Sequence, residues 1–160
     1  MTTLSQLSPN SRIWIYQSSK EFTADEIQKI NALATEFVNT WSAHGAALKA
    51  AAEVLHKRFL LIGVDEQQAA ASGCSIDKSV ALVKKIEADF NTDLLDRMQV
   101  AYRSGNEIKT FKLPQASSLL EKAELTENTV IFNNLVTTKK DWDEKWEVTL
   151  KDSWILQTVN

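Results

Sequence analysis

Six consecutive residues in the middle of the chain, FLLIGV (Phe59–Val64), constrain the fold more than any other feature of the sequence. No position in this segment is polar, so a strand formed here has to be covered on both of its faces. The segment is also far shorter than the roughly 20 apolar residues that a membrane-spanning helix needs. The sequence therefore predicts a central strand with other elements packed above and below it.

The residues before this strand, Ala47–Leu55, have good helical propensity, but they also alternate between apolar and polar positions. The alternation places Lys49 and Glu53 on one face and alanine, leucine and valine on the other. We predict a hairpin that turns near His56–Lys57, and the choice between strand and helix for Leu48–Leu55 stays open at this stage.

Two helices are predicted on either side of this hairpin. The first begins with a capping box, in which Thr23 caps the helix and Glu26 follows three residues later. We expect this helix to end at Gly45. The second helix carries an apolar stripe at helical spacing between Ile76 and Phe90 and ends near Asn91.

A strand precedes the first helix at Arg12–Gln17, and a hairpin that starts with Met98–Arg103 follows the second. The resulting order, β-α-β-β-α-β, is that of ferredoxin-like folds. We therefore predict an α+β protein with a ferredoxin-like core sheet, both helices on one face, and a C-terminal αβ extension. Residues 1–11 are expected to form a flexible tail, and residues 12–160 a single domain.

The extension contains a short helix at about residues 115–123 and the apolar segment TVIFNNLV. Asn133–Asn134 interrupts this segment, and we favour a bulge or a turn there over ligand binding, because asparagine is depleted in strands. Trp142, Trp146 and Trp154 follow. We expect them to cover the core; the alternative is an exposed patch through which a second copy forms a homo-oligomer.

The composition excludes several classes of function. The net charge is −3 and the lysines and arginines are dispersed, so no basic surface for nucleic acid is expected. The first eleven residues lack the pattern of a secretory signal, and no segment is long enough for membrane insertion. One cysteine cannot form a disulfide within the chain, and we expect a cytoplasmic location and no cofactor.

The polar segment SGCSIDKS, at residues 72–79, is the first candidate for a functional site. The favoured interpretation is a helix start with Ser75 as the N-cap. The alternative is a pocket for a small anion or ligand, formed by the amides and hydroxyls of Ser72, Gly73, Cys74 and Ser75 with Lys78 one turn later, since helix N-termini attract anions.

Catalysis has only weak candidates. Cys74 is one, because helix N-termini stabilise thiolates, and His44 is a candidate base for it. Asp77 is close in sequence and would oppose a thiolate. Asp65 and Glu66 are potential metal ligands together with His44 and Cys74, but their spacing matches no metal motif.

Three segments, SRIWIYQS, SGCSIDKSV and VIFNNLV, together resemble an uncharacterised family of small bacterial proteins that are often labelled "ABC transporter ATPase". That label implies ATP hydrolysis, and FLLIGVDE and GCSIDKS have the approximate form of Walker B and Walker A segments. A phosphate-binding loop, however, has a second glycine where this chain has Asp77, whose charge would repel phosphate. Nucleotide hydrolysis is therefore the least favoured function.

With no recognisable acid–base pair or metal set, the sequence favours a non-catalytic binding or regulatory module for an unknown ligand or protein partner. The alternative is a small enzyme or anion-binding protein that uses the Ser72–Ser75 loop.

Overall fold

A computed structural model describes residues 2–158 of the chain. It has an α+β fold, as the sequence predicted. The first part forms β1 (Arg12–Gln17), α1 (Ala24–Thr40), β2 (Ser42–Ala43), β3 (Ala46–Ala47), β4 (Lys49–Leu55), β5 (Phe59–Asp65) and α2 (Gly73–Phe90). The second part forms β6 (Gln99–Ser104), β7 (Glu107–Lys112), α3 (Ala116–Glu121), β8 (Val130–Phe132), α4 (Lys139–Lys145), β9 (Glu147–Thr149) and α5 (Ile155–Thr158).

The first sheet has the order β1–β5–β4, with β5 antiparallel to both neighbours. Ile62 in the middle of β5 lies opposite Trp14 on one side and Ala52 on the other. All seven residues of β5 are buried, which confirms the prediction of a central strand. The strand alternative for Leu48–Leu55 is the correct one, because β4 pairs with β5 along its whole length.

Both α1 and α2 pack on the same face of this sheet. Their buried residues form one apolar cluster with the residues of β5 that point to that face. Residues of this cluster with full or almost full burial are Ile30 and Ala34 of α1, Leu60, Ile62 and Val64 of β5, and Val83 and Ile86 of α2. The predicted placement of the two helices is therefore confirmed.

Helix α1 begins where predicted and ends earlier than predicted. The Thr23 side chain accepts from the Glu26 N–H at 3.1 Å, and the Glu26 side chain accepts from the Thr23 N–H at 3.0 Å. The helix stops at Thr40 rather than near Gly45, because Trp41 leaves the helix and enters the core. Gly45, with a positive φ of 80°, instead forms the turn between β2 and β3.

The second sheet has the order β7–β6–β8–β9 and corrects the ferredoxin-like prediction. A ferredoxin-like core would place β6 beside β1, in the first sheet. Here β6 pairs instead with β7 and, through Tyr102 opposite Ile131, with β8. Ile131 is fully buried and belongs to an apolar cluster of the second sheet, and burying that cluster explains why β6 lies in this sheet.

The two sheets meet through an aromatic cluster on the face of the first sheet that α1 and α2 leave free. The rings of Phe59, Phe132 and Trp146 contact one another, with centroids 4.9 to 5.0 Å apart. Aromatic pairs at this separation stabilise a core beyond their buried area. This cluster holds the segment from β8 to α4 against β5.

Residues 2–11 are not a flexible tail. Leu4 begins a short 3₁₀ helix (Leu4–Gln6), and Leu4 and Leu7 are 1% and 3% exposed. Both pack on Gly63 of β5, where a Cβ atom would lie 2.6 Å from Cδ1 of Leu7 and 2.8 Å from Cδ1 of Ile13. Gly63 therefore provides the space that the N-terminal segment occupies, and this segment covers part of the second face of β5.

The remaining predicted elements are confirmed with adjusted bounds. Helix α2 ends at Phe90, and its C-cap, Asn91, has a left-handed conformation with a φ of 50°. Strand β8 ends at Phe132, and Asn133–Asn134 forms a turn rather than continuing the strand. Thr138 caps α4 by accepting from the Asp141 N–H at 3.1 Å. Within residues 2–158, no helix is long and apolar enough to cross a lipid bilayer.

Candidate functional site

The Ser72–Ser75 loop is a helix cap in which the hydroxyls bind to the loop itself. Ser72 is the N-cap, one turn before the predicted Ser75, and its side chain accepts from the Ser75 N–H at 3.1 Å. The Ser75 hydroxyl in turn accepts from the Ser72 N–H at 2.7 Å and donates to the Ser72 carbonyl oxygen at 2.8 Å. Ser75 is buried in the first turn of α2 rather than at its cap. Its carbonyl oxygen accepts a hydrogen bond from the Trp41 indole N–H at 2.8 Å.

The other residues proposed for this site lie in solvent. Gly73, Cys74 and Lys78 are exposed, and His44 is exposed at the turn between β2 and β3. In the part of the chain that the structure describes, no hydrogen bond joins His44 to Cys74. Residues 2–158 also contain no group of three or more His, Cys, Asp or Glu side chains arranged to hold a metal ion. An anion site at this loop stays a prediction.

Removing the Ser72 cap tests this account of the loop. Ser72→Ala is expected to lower the free energy of unfolding by about 1 kcal/mol, because the Ser75 N–H loses its acceptor. Cys74→Ala is the matched control in the exposed first turn and should change it by less than about 0.5 kcal/mol. The measurement is urea denaturation. Equal effects of the two substitutions would contradict the cap.

A cleft of about 230 Å³ runs along β1 on the side away from β5. One side of the cleft is β1 itself, at residues 13–17. The rest of the lining comes from the segment that leads into β6 (94–97, 99 and 100) and from residues 134–137, with Phe132 and Trp154. The cleft therefore occupies the position beside β1 where the fourth strand of a ferredoxin-like sheet would lie.

The wall of the cleft is mainly apolar, and two of its leucines extend into solvent. Leu95 is 41% exposed and Leu135 is 56% exposed, and both line the cleft. Large exposed apolar side chains at the edge of a concave site favour binding of an apolar group.

A chain of hydrogen bonds orients the buried amide of Gln17 in this wall. The Trp146 indole N–H donates to Oδ1 of Asn134 at 2.9 Å, and Nδ2 of Asn134 donates to Oε1 of Gln17 at 2.9 Å. An indole nitrogen only donates, so the orientation of both amides follows from Trp146. The Nε2 group of Gln17 is the free end of this chain.

Two polar atoms of the lining residues are buried without partners. Within residues 2–158, Nε2 of Gln17 has no acceptor and Oε1 of Gln99 has no donor. Gln17 is 5% exposed. Leaving a buried amide donor or acceptor unsatisfied costs about 1–3 kcal/mol, so these two side chains favour any arrangement that gives them a partner. The pair consists of one donor and one acceptor, which complements an amide.

Three titratable groups line the cleft: Tyr16, Asp96, which pairs with Lys112, and Arg97, which is exposed and has no ion pair within residues 2–158. Burial raises the pKa of the Tyr16 phenol, and the positive charge of Arg97 opposes part of that shift. The Lys112 ammonium binds Asp96 and lowers the pKa of its carboxyl, and the Met98 N–H adds a further hydrogen bond to it. The lining thus combines a mainly apolar wall and amide side chains with the exposed cation of Arg97.

A second, polar cleft of about 530 Å³ lies at the turn between β4 and β5. Burial lowers the pKa of His56, the nearby Arg103 charge lowers it further, and Glu147 opposes this. The cations of this cleft have partners, since Lys57 pairs with Glu21 at 3.8 Å and Arg103 with Glu147. We therefore regard the cleft beside β1 as the stronger candidate.

The three C-terminal tryptophans have different environments. Trp146 is 6% exposed and belongs to the core, as the favoured interpretation predicted. Trp142 is half-buried with its ring 5.9 Å from that of Trp146, and the half-buried Trp154 lines the cleft. Trp146 is therefore not part of an exposed patch, and an oligomer through the other two stays a prediction.

Neither Gln17 nor Gln99 is predicted as a site residue from the sequence. In RIWIYQ, Gln17 occupies the same face as Ile13 and Ile15, and a polar residue at such an inward position is a signal for an internal hydrogen bond. Asn134 stands out in the sequence because it interrupts an apolar segment. Its partner Gln17 is 117 residues away in the chain, so their hydrogen bond is not predictable from the local pattern.

Comparison of the chain with known protein families, with curated proteins and with solved structures gives no match. The resemblance to the small bacterial family with the ATPase label stays a prediction.

Proposed function

We propose that this protein is a non-catalytic binding module and that its ligand occupies the cleft beside β1. The observation that carries the proposal is the pair of buried amide atoms, Nε2 of Gln17 and Oε1 of Gln99, without partners within residues 2–158. Both residues line the cleft, and a ligand that carries an acceptor and a donor satisfies the two buried atoms once their side chains turn toward it, while its apolar part lies against the leucines of the cleft. The ligand class is therefore a small molecule that contains an amide group.

Binding rather than catalysis is supported by the groups that line the cleft. Asp96 is held by Lys112 and by a main-chain N–H, which keeps it ionised and occupied rather than available as a base. The raised pKa of Tyr16 keeps its phenol neutral near physiological pH. Amide side chains and leucines supply recognition without a reactive group.

The test is a titration of the ¹⁵N-labelled protein with three small amides: acetamide, N-methylacetamide and benzamide. We expect the side-chain NH₂ resonances of Gln17 and Gln99 to shift together and to saturate. Gln17→Met should weaken binding by about 3- to 10-fold, because it removes the Nε2 donor to the ligand while keeping a similar side-chain volume. It also removes the acceptor of Asn134 Nδ2, so the free energy of unfolding of this variant is measured alongside its affinity.

Gln28→Met is the matched control, because Gln28 is an exposed glutamine on α1. This variant should bind the amides as the unaltered protein does. Equal affinity of the Gln17→Met and Gln28→Met variants, or the absence of saturable shifts at Gln17 and Gln99, would contradict the proposed function.

A further inference from the structure

The cleft follows the edge of β1 rather than one of its faces. Five consecutive residues of β1, 13–17, line it. Successive side chains of a strand point to opposite faces, so a cavity above one face would touch only every second residue. A lining by consecutive residues places the cleft along the hydrogen-bonding edge of β1.

The direction of the main-chain groups along this edge is fixed at both ends of β1. The Ser18 N–H donates inward to the Arg58 carbonyl oxygen at 2.8 Å, and the Ile13 N–H donates outward to the Thr137 carbonyl oxygen at 2.9 Å. Main-chain groups alternate in direction along an antiparallel pair, so those of Ile15 point outward into the cleft. In the part of the chain that the structure describes, no strand pairs with β1 at Ile15 on this side.

A short strand pairing already begins at one end of this edge. Arg12 and Thr138 form an antiparallel bridge, and the Lys139 N–H donates to the Ser11 carbonyl oxygen at 2.9 Å. Residues 134–135 then form a turn, and the segment contacts β1 through the side chain of Asn134, which donates to Gln17, rather than through a continued strand pairing. The strand pairing that begins at Arg12 therefore stops after Ile13, and the edge of β1 from that residue to Gln17 has no strand beside it within residues 2–158.

We infer that the ligand of this cleft is an extended polypeptide segment that pairs with the free edge of β1, an inference that rests on the proposed function. Its N–H and C=O groups recur every two residues at about 7 Å, which is the spacing between the outward main-chain groups of Ile15 and Gln17. Addition of a peptide strand to an exposed sheet edge is an established mode of recognition. A single small amide satisfies only one donor and one acceptor.

The size and the lining of the cleft fit a short segment. From Ile13 to Gln17 the edge spans about 13 Å, which accommodates about four residues of an extended peptide. Leu95 and Leu135 are exposed in the lining, where they can contact every second side chain of the peptide. The amides of Gln17 and Gln99 add hydrogen bonds to the peptide main chain.

The test uses a pool of random-sequence pentapeptides that are acetylated and amidated at their ends, so the outcome does not depend on one sequence. Amide hydrogen exchange of Ile15 is followed by NMR. We expect exchange at Ile15 to slow about tenfold once about nine-tenths of the protein is bound, because a paired amide exchanges only from the free fraction. The same pool with every peptide nitrogen methylated is the control, since it cannot donate hydrogen bonds.

Each other outcome overturns the inference. If both pools slow Ile15 equally, the peptide covers the cleft without pairing to the strand. If neither pool affects Ile15 while the small amides still shift Gln17 and Gln99, the cleft binds a small molecule and only the peptide assignment fails. If neither the pools nor the small amides bind, the proposed function fails as well.

Discussion

Replacing Leu7 with alanine is expected to lower the free energy of unfolding by about 2–5 kcal/mol. Leu7 lies in a segment of eleven residues that the sequence alone assigns to a flexible tail, yet its side chain is 3% exposed. It packs with Leu4 and Ile13 over Gly63 of the central strand. Truncation leaves a cavity there, and the surrounding side chains can close it only in part.

A second substitution shows whether this loss comes from the contact with β5. Gly63→Ala alone should cost about 1–3 kcal/mol, because its new methyl group would lie 2.6 Å from Leu7 Cδ1. In the double variant the methyl group enters the space that Leu7 has left, so the combined loss should be smaller than the sum of the two single losses. Additive losses would mean that Leu7 and Gly63 do not touch.

Urea denaturation measures all of these variants, and Leu135→Ala is the control for the Leu7 substitution. Leu135 is 56% exposed, so the same chemical change there should alter the free energy of unfolding by less than about 0.5 kcal/mol. If Leu7→Ala costs no more than Leu135→Ala, the N-terminal segment does not stabilise the fold.

Local interactions made much of the first half predictable. The capping box at Thr23, the alternation before Leu55 and the left-handed position at Asn91 each involve residues only a few positions apart. Such features are predictable from the sequence because the interactions that produce them join residues close together in the chain. They were sufficient for the helices, the hairpin and the α+β class.

The features that the sequence did not predict depend on contacts between residues far apart in the chain. The strand β6 has the composition of either a fourth strand of the first sheet or a member of the second, and its pairing with β8 decides the matter. Leu4 and Leu7 likewise lie in a short, mostly polar segment. Their burial depends on the space that Gly63 leaves on β5. Neither outcome follows from periodicity, which describes one element at a time.

The candidate site is made of residues that are far apart in sequence. Its central hydrogen bonds join Trp146, Asn134 and Gln17, which belong to separate segments of the chain. The sequence pointed instead to the Ser72–Ser75 loop, where polar residues are adjacent and where the structure has a helix cap. A cluster of polar residues along the chain was therefore a poor guide to a concave site.

Amide hydrogen exchange along β1 in the free protein should alternate, and the contrast is expected to be large. Trp14 and Tyr16 face β5 in the ladder, with partners Ile62 and Leu60, so their N–H groups exchange only when the sheet opens. The Ile15 N–H points into the cleft. We expect it to exchange at least about 100-fold faster than its two neighbours, because each 1.4 kcal/mol of opening free energy slows exchange tenfold.

This measurement tests most directly the claim that β1 presents a free edge to a binding cleft, and it needs no ligand. We expect protected amides at Trp14 and Tyr16, protection at Ile13 by the Thr137 carbonyl oxygen at 2.9 Å, and rapid exchange at the two outward amides without an acceptor, Ile15 and Gln17. Protection of Ile15 equal to that of Trp14 and Tyr16 would contradict it, because the edge would then already be paired and could not accept a strand.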